Sequence, residues 1–597
     1  MKPVPRLLLA LATACALLSC AAPAQADFDY RIPPEPEAAS GFTAKPGWAT
    51  TKFAVAAANP LATDAGYQVL RAGGTAIDAA IAVQMVLGLV EPQSSGIGGG
   101  LFLLHYDGHA VEAYDGRETA PAAADEKLFL NPDGTPMAFN DAVVGGRSVG
   151  VPGTLRALEL AHREHGRLPW ATLFEPAIRL AEQGFKVSPR LATLAKANRF
   201  LKDDPVAASY FLDANGEPHP AGYLLRNPEY AAVLRRIARE GADAFYKGEI
   251  AQAIVEKVRH HPRNPGAMTL ADLASYQAKK RAPICYDYSA RGRDYRICGF
   301  PPPSSGPIAI GQMLRILHDV HAESKPLESG LPSADWLHLY TEAARLAFAD
   351  RNQYVGDPDF VQPPAGAWTS LLDPAYLASR ARLIGPKSMK VAQPGTPGRV
   401  TSRYAPATDT PEHGTSHISI VDAQGNAVAM TTTIEQEFGS RQMVHGFMLN
   451  NELTDFNFAP RDTEGRPVAN RVEAGKRPRS SMAPTLVFDK ASGQFVLSAG
   501  SPGGAGIIHF TAKTLWAILD WGLDAQRAID LPNFGSYNGP TVLEQNRFPR
   551  STIEALKTRG AEVREQDMTS GLQAVQKTPT GYFGGADPRR EGIVMGE

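Results

Sequence analysis

The chain has 597 residues, 44% of them apolar and 20% charged, with 60 basic and 62 acidic side chains. That length allows several domains, or one large domain with a sizeable core. A net charge of −2 leaves no electrostatic footprint for nucleic acid, and beyond the N-terminal segment no apolar run is long enough to predict a membrane span.

The first 26 residues read as an export signal. Lys2 and Arg6 precede an apolar run from Leu7 to Leu18, and Ala24-Gln25-Ala26 fits a small-x-small cleavage site. A competing reading makes Leu17-Leu18-Ser19-Cys20 a lipobox, with a lipid anchor at Cys20. Both place the mature chain in the periplasm or outside the cell. Residues 27–45 read as an extended lead-in. Residues 59–92 predict two Ala-rich helices joined at Gly73-Gly74, and residues 95–118 a glycine loop, strand, turn and strand. Residues 154–260 are mainly helical in pattern. Cys285 and Cys298 sit symmetrically about Arg291-Gly292, so a hairpin would set them opposite one another. In an exported protein that favours a disulfide over two buried thiols. Helical periodicity returns at 310–323 and 334–356. Residues 355–413 are rich in Pro and Gly, weakly periodic, and read as a surface segment ending at Gly414. From Thr415 the chain is strand-rich, with helices over 509–522 and 551–560. Blocks of strands bracketed by helices predict stacked sheets covered by helices on both sides. No CxxC or HExxH spacing occurs, so neither a zinc site nor another cofactor is expected.

The stretch EHGTSHISIVDAQGNAVAMTTTIEQEFGS, from Glu412, reads as a hairpin folded about Gln424. Thr415 and Thr433 then face each other beside the Gly414–Thr415 bond. A threonine hydroxyl is a weak nucleophile unless a base adjoins it, and an N-terminal threonine supplies its own α-amine, with a pKa of roughly 7.7–8. Reaching that state requires attack by the Thr415 hydroxyl on the Gly414 carbonyl, then hydrolysis of the ester. Both threonines also read as plain β-formers on a solvated strand face.

Other segments carry complementary chemistry. SAGSPGGAGII places Gly503 and Gly504 in a turn whose N–H groups suit an oxyanion. Ser501 lacks the GxSxG setting of a serine hydrolase. Arg117, ending a strand, suits a carboxylate, as do the paired hydroxyls Ser480 and Ser481. Glu452 and Asp455, three apart, with Glu435, suit an ammonium group. A tight turn, a surface arginine, a solvated loop and a solvated acidic loop are the respective ordinary readings. Together they describe a site for a free amino acid acylated through its side chain.

The ordered motifs NPLA, VEPQSSGIGGG, DGRETAP, VGVPGT, PPPSSG, EAARLAFADR, GTSH, LNNELTDF, RPRSSMAPT, GSPGG and GGADPRREG, from about Phe53 to Gly596, resemble the γ-glutamyltransferase family of N-terminal-nucleophile hydrolases. The resemblance implies a four-layer αββα sandwich and self-cleavage into a large chain, 27–414, and a small chain, 415–597, that stay together. It implies Thr415 as nucleophile and Thr433 as its hydrogen-bond partner. Gly503 and Gly504 would form the oxyanion hole. Arg117, Ser480 and Ser481 would hold the substrate α-carboxylate, and Glu452 and Asp455 its α-ammonium. Glutathione and other γ-glutamyl amides would donate to water, amino acids or peptides. Well-characterised members carry asparagine where this chain has Glu435, and leucine where it has Arg479. Those departures bear on the acyl group, and they keep a related amidase, such as a cephalosporin (glutaryl) acylase or a poly-γ-glutamate-processing enzyme, as an alternative. A non-catalytic exported binding protein is the alternative of another class.

Overall fold

The structure, a computed structural model, describes residues 41–398, 404–407 and 414–597. The export signal, its cleavage site and the lipobox lie outside the described residues.

Two seven-stranded sheets, antiparallel throughout, form the centre. In the first, the strands run in the order Trp48–Thr50, Gly581–Ala586, Gln573–Thr578, Phe495–Gly500, Thr485–Asp489, Arg293–Gly299, Ile284–Ala290. In the second the order is Ile593–Gly596, Ala54–Ala57, Ser416–Val421, Ala427–Thr433, Gly100–Tyr106, Val111–Asp115, Lys279–Arg281. The sheets pack face to face through their central strands. Helices Pro60–Arg71, Ala76–Val90 and Thr154–His165 cover the second sheet, and Gly306–Asp319 and Gly506–Leu519 cover the first, with Ala334–Tyr354 packed on Gly306–Asp319. This is the expected four-layer helix–sheet–sheet–helix sandwich.

Local chemistry accounts for the elements nearest the site. Thr75 and Asp78 form a capping box that starts Ala76–Val90, and all fifteen of that helix's residues are buried. The small faces matter: a Cβ at Gly66 would stand 2.7 Å from a Val83 methyl. The central hairpin has the register Ser416↔Thr432 through Val421↔Ala427, symmetric about Gln424. Asp422 closes its turn by accepting from Gln424 N at 2.9 Å and Asn426 N at 3.0 Å, and ties it to the helix by accepting from Ala76 N at 3.1 Å. Both strands are buried on both faces. Ile418, Ile420, Val428 and Met430 join the apolar core under the helices. The opposite face, between the sheets, is polar: His417 Nδ1 lies 2.9 Å from Thr431 Oγ1, and Ser498 Oγ donates to Ser419 Oγ at 2.9 Å. Burial pushes the His417 imidazole down to about 3, so it is neutral.

The cysteine hairpin forms as expected, with Cys285 opposite Cys298 and the two joined in a disulfide. Arg291 and Gly292 both hold positive φ, as a two-residue hairpin turn requires. One expectation needs correction. Residues 355–398 are not featureless: they contain short 3-10 turns and the helix Pro374–Ala381, which packs on Gly306–Asp319. Asp373 caps it and proline opens it. Eight residues are too few for periodicity to reveal.

Candidate functional site

The hairpin register carries Thr415 and Thr433 to the open end of the central strands, on the face between the sheets. Their hydroxyl oxygens are 3.2 Å apart. The Thr415 hydroxyl also contacts the Gly414 carbonyl oxygen, and Thr433 Oγ1 donates to that same oxygen at 2.7 Å. Glu435 N donates to Thr433 Oγ1 at 2.8 Å and fixes its lone pairs. Both threonines are buried, which excludes the solvated-strand reading. Gly414 has φ +51°, and a Cβ there would stand 2.7 Å from the Glu435 carbonyl oxygen, so glycine alone fits without strain. Nucleophile-type hydroxyl, carbonyl and polarising hydroxyl thus meet at one peptide bond.

The charged residues meet as well, in an arrangement that their separate sequence readings did not include. Arg117 follows the strand Val111–Asp115, and Glu452 and Asp455 sit in a 3-10 turn, where a spacing of three puts both carboxylates on one side. Arg117 pairs with Glu452 through Nη1 and with Asp455 through Nη2, the latter at 2.5 Å. It also donates from Nε to Pro478 O at 3.2 Å and from Nη2 to Arg479 O at 3.0 Å. All three side chains are buried, so neither a surface arginine nor a solvated acidic loop describes them. Burial, against the pull of Arg117, raises Asp455 to about 7. The adjoining Glu118 is raised to about 8 for the same reason. Three carboxyl groups therefore surround one guanidinium.

Ser480 and Ser481 continue the segment whose carbonyls Arg117 grips. Ser480 Oγ accepts from Met482 N at 3.1 Å, and Ser481 Oγ accepts from Arg351 Nη2 at 2.7 Å. Gly503 and Gly504 hold φ of 130° and 54° and open the helix Gly506–Leu519. Their carbonyls accept from Gly506 N and Ile507 N, each at 3.0 Å. Their link to the threonines is indirect. Pro502 packs on Gly571, Gly571 on Arg590, and Arg590 Nη1 donates to Thr415 O at 3.1 Å.

Glu435 takes a left-handed φ of 77°, which is costly for a non-glycine residue. Its carboxylate is held by Asn451 Nδ2, while Asn451 Oδ1 accepts from Gln436 N at 2.9 Å. A cavity of about 360 Å³ opens beside this bend, with Gln436, Glu437 and Arg441 in its wall. Sequence reasoning missed Asn451, Arg590 and Glu118 as members of the site. All three lie inside motifs already noted: Asn451 in LNNELTDF, Arg590 in GGADPRREG and Glu118 in DGRETAP. Nothing in their spacing shows which partner each would find.

A family model described as gamma-glutamyltranspeptidase matches residues 62–597. Glutathione hydrolase proenzyme from Bacillus subtilis strain 168 is 36% identical over 558 residues, covering 91% of each chain. The glutathione hydrolase proenzyme of Escherichia coli K12 is 35% identical over 550 residues, covering 90% of each. The crystal structure of cephalosporin acylase from Bacillus halodurans aligns with a TM-score of 0.79 at 27% identity, over 96% of this chain and 99% of that one. Among the described residues no helix is long and apolar enough to cross a membrane. With the family model matching residues 62–597, and curated relatives matched over 90% or 91% of each chain, the chain belongs to the gamma-glutamyltranspeptidase family.

Proposed function

We propose that the chain is an exported proenzyme that cuts itself between Gly414 and Thr415 and then moves γ-glutamyl groups from amides such as glutathione to water, amino acids or peptides. The single observation carrying this reading is the convergence of the Thr415 and Thr433 hydroxyls on the Gly414 carbonyl. Thr415 Oγ1 adds to the Gly414 carbonyl carbon, while Thr433 donates to the developing oxyanion. The C–N bond breaks, the Thr415 nitrogen takes up a proton, and an ester links Gly414 to Thr415 Oγ1. Water cleaves that ester, leaving a Gly414 carboxylate and a free Thr415 amine. The amine then serves as the base for the same hydroxyl in acyl transfer.

In turnover, Gly503 and Gly504 N–H groups receive the oxyanion of the γ-carbonyl. The substrate α-carboxylate takes Arg117, Ser480 and Ser481, and its α-ammonium takes Glu452 and Asp455. The buried pairs of Arg117 with both acids support this assignment. An amino acid's carboxylate and ammonium carry opposite charges, so its entry between Arg117 and the two acids adds no net charge to the buried site. Mass and N-terminal analysis of the purified chain tests the first step: a small chain beginning at Thr415 is expected, and a single uncut chain would reject the scheme and raise the non-catalytic binding reading.

A second reading, an amidase acting on glutaryl rather than γ-glutamyl groups, is favoured by two observations. One is the fold match to a cephalosporin acylase. The other is Glu435 itself, whose backbone N–H meets Thr433 and whose carboxylate is held by Asn451, in place of the asparagine that the family resemblance leads one to expect. Hydrolysis of a γ-glutamyl anilide against the glutaryl anilide separates them. Preference for the first is expected, because glutaryl lacks the ammonium that the acidic pair would hold.

A further inference from the structure

Metal-ligand spacing along the chain is absent, yet three ligand-type side chains from three elements converge well away from the threonine pair. His105 lies on the strand Gly100–Tyr106, on the same face as Leu101 and Leu103, which belong to the apolar core. The pattern asks for another aliphatic residue there. Instead an imidazole is 2% exposed, and neither of its nitrogens has a hydrogen-bond partner. A buried polar group without partners is costly and calls for an explanation.

Glu112 is the direct cross-strand neighbour of His105. His165, the last residue of the helix Thr154–His165, stands with its ring centroid 4.2 Å from that of His105. Its Nε2 is 2.6 Å from Glu112 Oε2. One ligand atom from each of the three residues lies within 4.8 Å of the others. Tyr114 donates to Glu112 Oε2 at 2.7 Å, and Lys280 Nζ is 2.6 Å from Oε1, which orients the carboxylate as outer partners of a metal ligand do. The His165 and Glu112 side chains are 19% and 22% exposed and give a way in.

We propose that His105, His165 and Glu112 form a structural site for a divalent transition-metal ion, zinc above all, with a water completing the tetrahedron. Two imidazoles and one carboxylate are a ligand set that zinc accepts, at about 2.0–2.2 Å from each atom. Binding opens the His165–Glu112 contact and turns His165, on its exposed helix end, toward His105. Gly100 pairs with Thr433 and His105 with Val428, so about 17 Å of strand separates this cluster from the threonines. The ion would pin the helix terminus to the sheet without entering acyl transfer.

The test uses the full-length protein, dialysed against chelator and titrated with zinc chloride by calorimetry, then with cobalt chloride in visible absorption. One ion per chain, a tetrahedral cobalt spectrum and a raised unfolding temperature are expected. His105→Leu restores the apolar pattern. It is expected to weaken zinc binding at least about 100-fold, to keep activity, and to unfold no earlier than the metal-free parent. His109→Ala, an exposed neighbour, is expected to bind as the parent does. If His105→Leu fails to fold, His165→Ala at the helix end replaces it. Absence of zinc binding by the parent, or equal binding by the parent and these ligand variants, overturns the proposal and leaves Glu112 to its contacts with Lys280 and His165.

Discussion

The threonine pair and the arginine–carboxylate cluster are built on opposite principles. The two hydroxyls are neutral, eighteen residues apart, and placed by one hairpin whose turn is closed by Asp422. Arg117 and its acids are charged, 335 and 338 residues apart, and placed only by the packing of separate segments. The first arrangement has low electrostatic cost and its value is chemical. The second is costly to bury, and losing Arg117 removes the guanidinium that both acids share. Substitutions in the two regions should therefore differ sharply in how much stability they cost.

The sharpest break is expected at Thr415. Thr415→Ala should abolish processing and lower γ-glutamyl anilide hydrolysis by roughly 10⁴-fold or more. Its urea midpoint should shift little, because one neutral buried hydrogen bond contributes only about 1 kcal/mol. A variant processed at the same bond would remove Thr415 from the chemistry.

Arg117→Met is expected to cost far more stability than Thr415→Ala, on top of a raised KM for γ-glutamyl donors. It removes the guanidinium that Glu452 and Asp455 share, in a buried setting with Glu118 beside them. Breaking a buried pair in this way costs about 3–5 kcal/mol. A stability loss below about 1 kcal/mol in urea unfolding would mean that the cluster is not tightly coupled.

These two regions also differed in how far they could be read from the chain. The hairpin was legible because its register follows from turn residues and alternation within twenty positions. What could not be read was that both its faces are buried, since His417, Ser419 and Thr431 look like solvent-facing residues until a second sheet covers them. Arg117, Glu452 and Asp455 were legible as chemical types, but their union in one ion cluster depends on segments more than three hundred residues apart. Glu118 and Asn451 carry no periodic signal, and their roles arise from the partners they meet. His105 was invisible for a related reason: its metal-type neighbours come from a cross-strand pair and a helix end, not from a local motif.

Thr433→Ala falls between the extremes. Its hydroxyl donates to the Gly414 carbonyl oxygen and carries no charge. Losing one such donor should slow processing about 100-fold, followed as the rate at which the full-length precursor disappears. Thr433→Ser should recover most of it, whereas equal rates in the alanine and serine variants would assign Thr433 to packing alone.

The smallest effect lies in the pH dependence of the charged cluster. Asp455 and Glu118 are raised to about 7 and about 8, above the values near 4 that carboxylic acids have in an unfolded chain. Between about pH 4 and 8 the folded state therefore holds more protons than the unfolded state, and stability falls as pH rises through that window. The contribution is fully present below pH 4 and lost above the folded-state values. Glu118→Gln removes one of the two titrations while keeping the shape of the side chain. Relative to this variant, the parent should lose roughly 2 kcal/mol more between pH 5 and pH 7, read as the change in urea midpoint. The same substitution should leave the pH profile of Thr415 processing in place, because the hydroxyl pair contains no titrating side chain. If both profiles move together, the two regions are coupled through Glu118 and do not act independently.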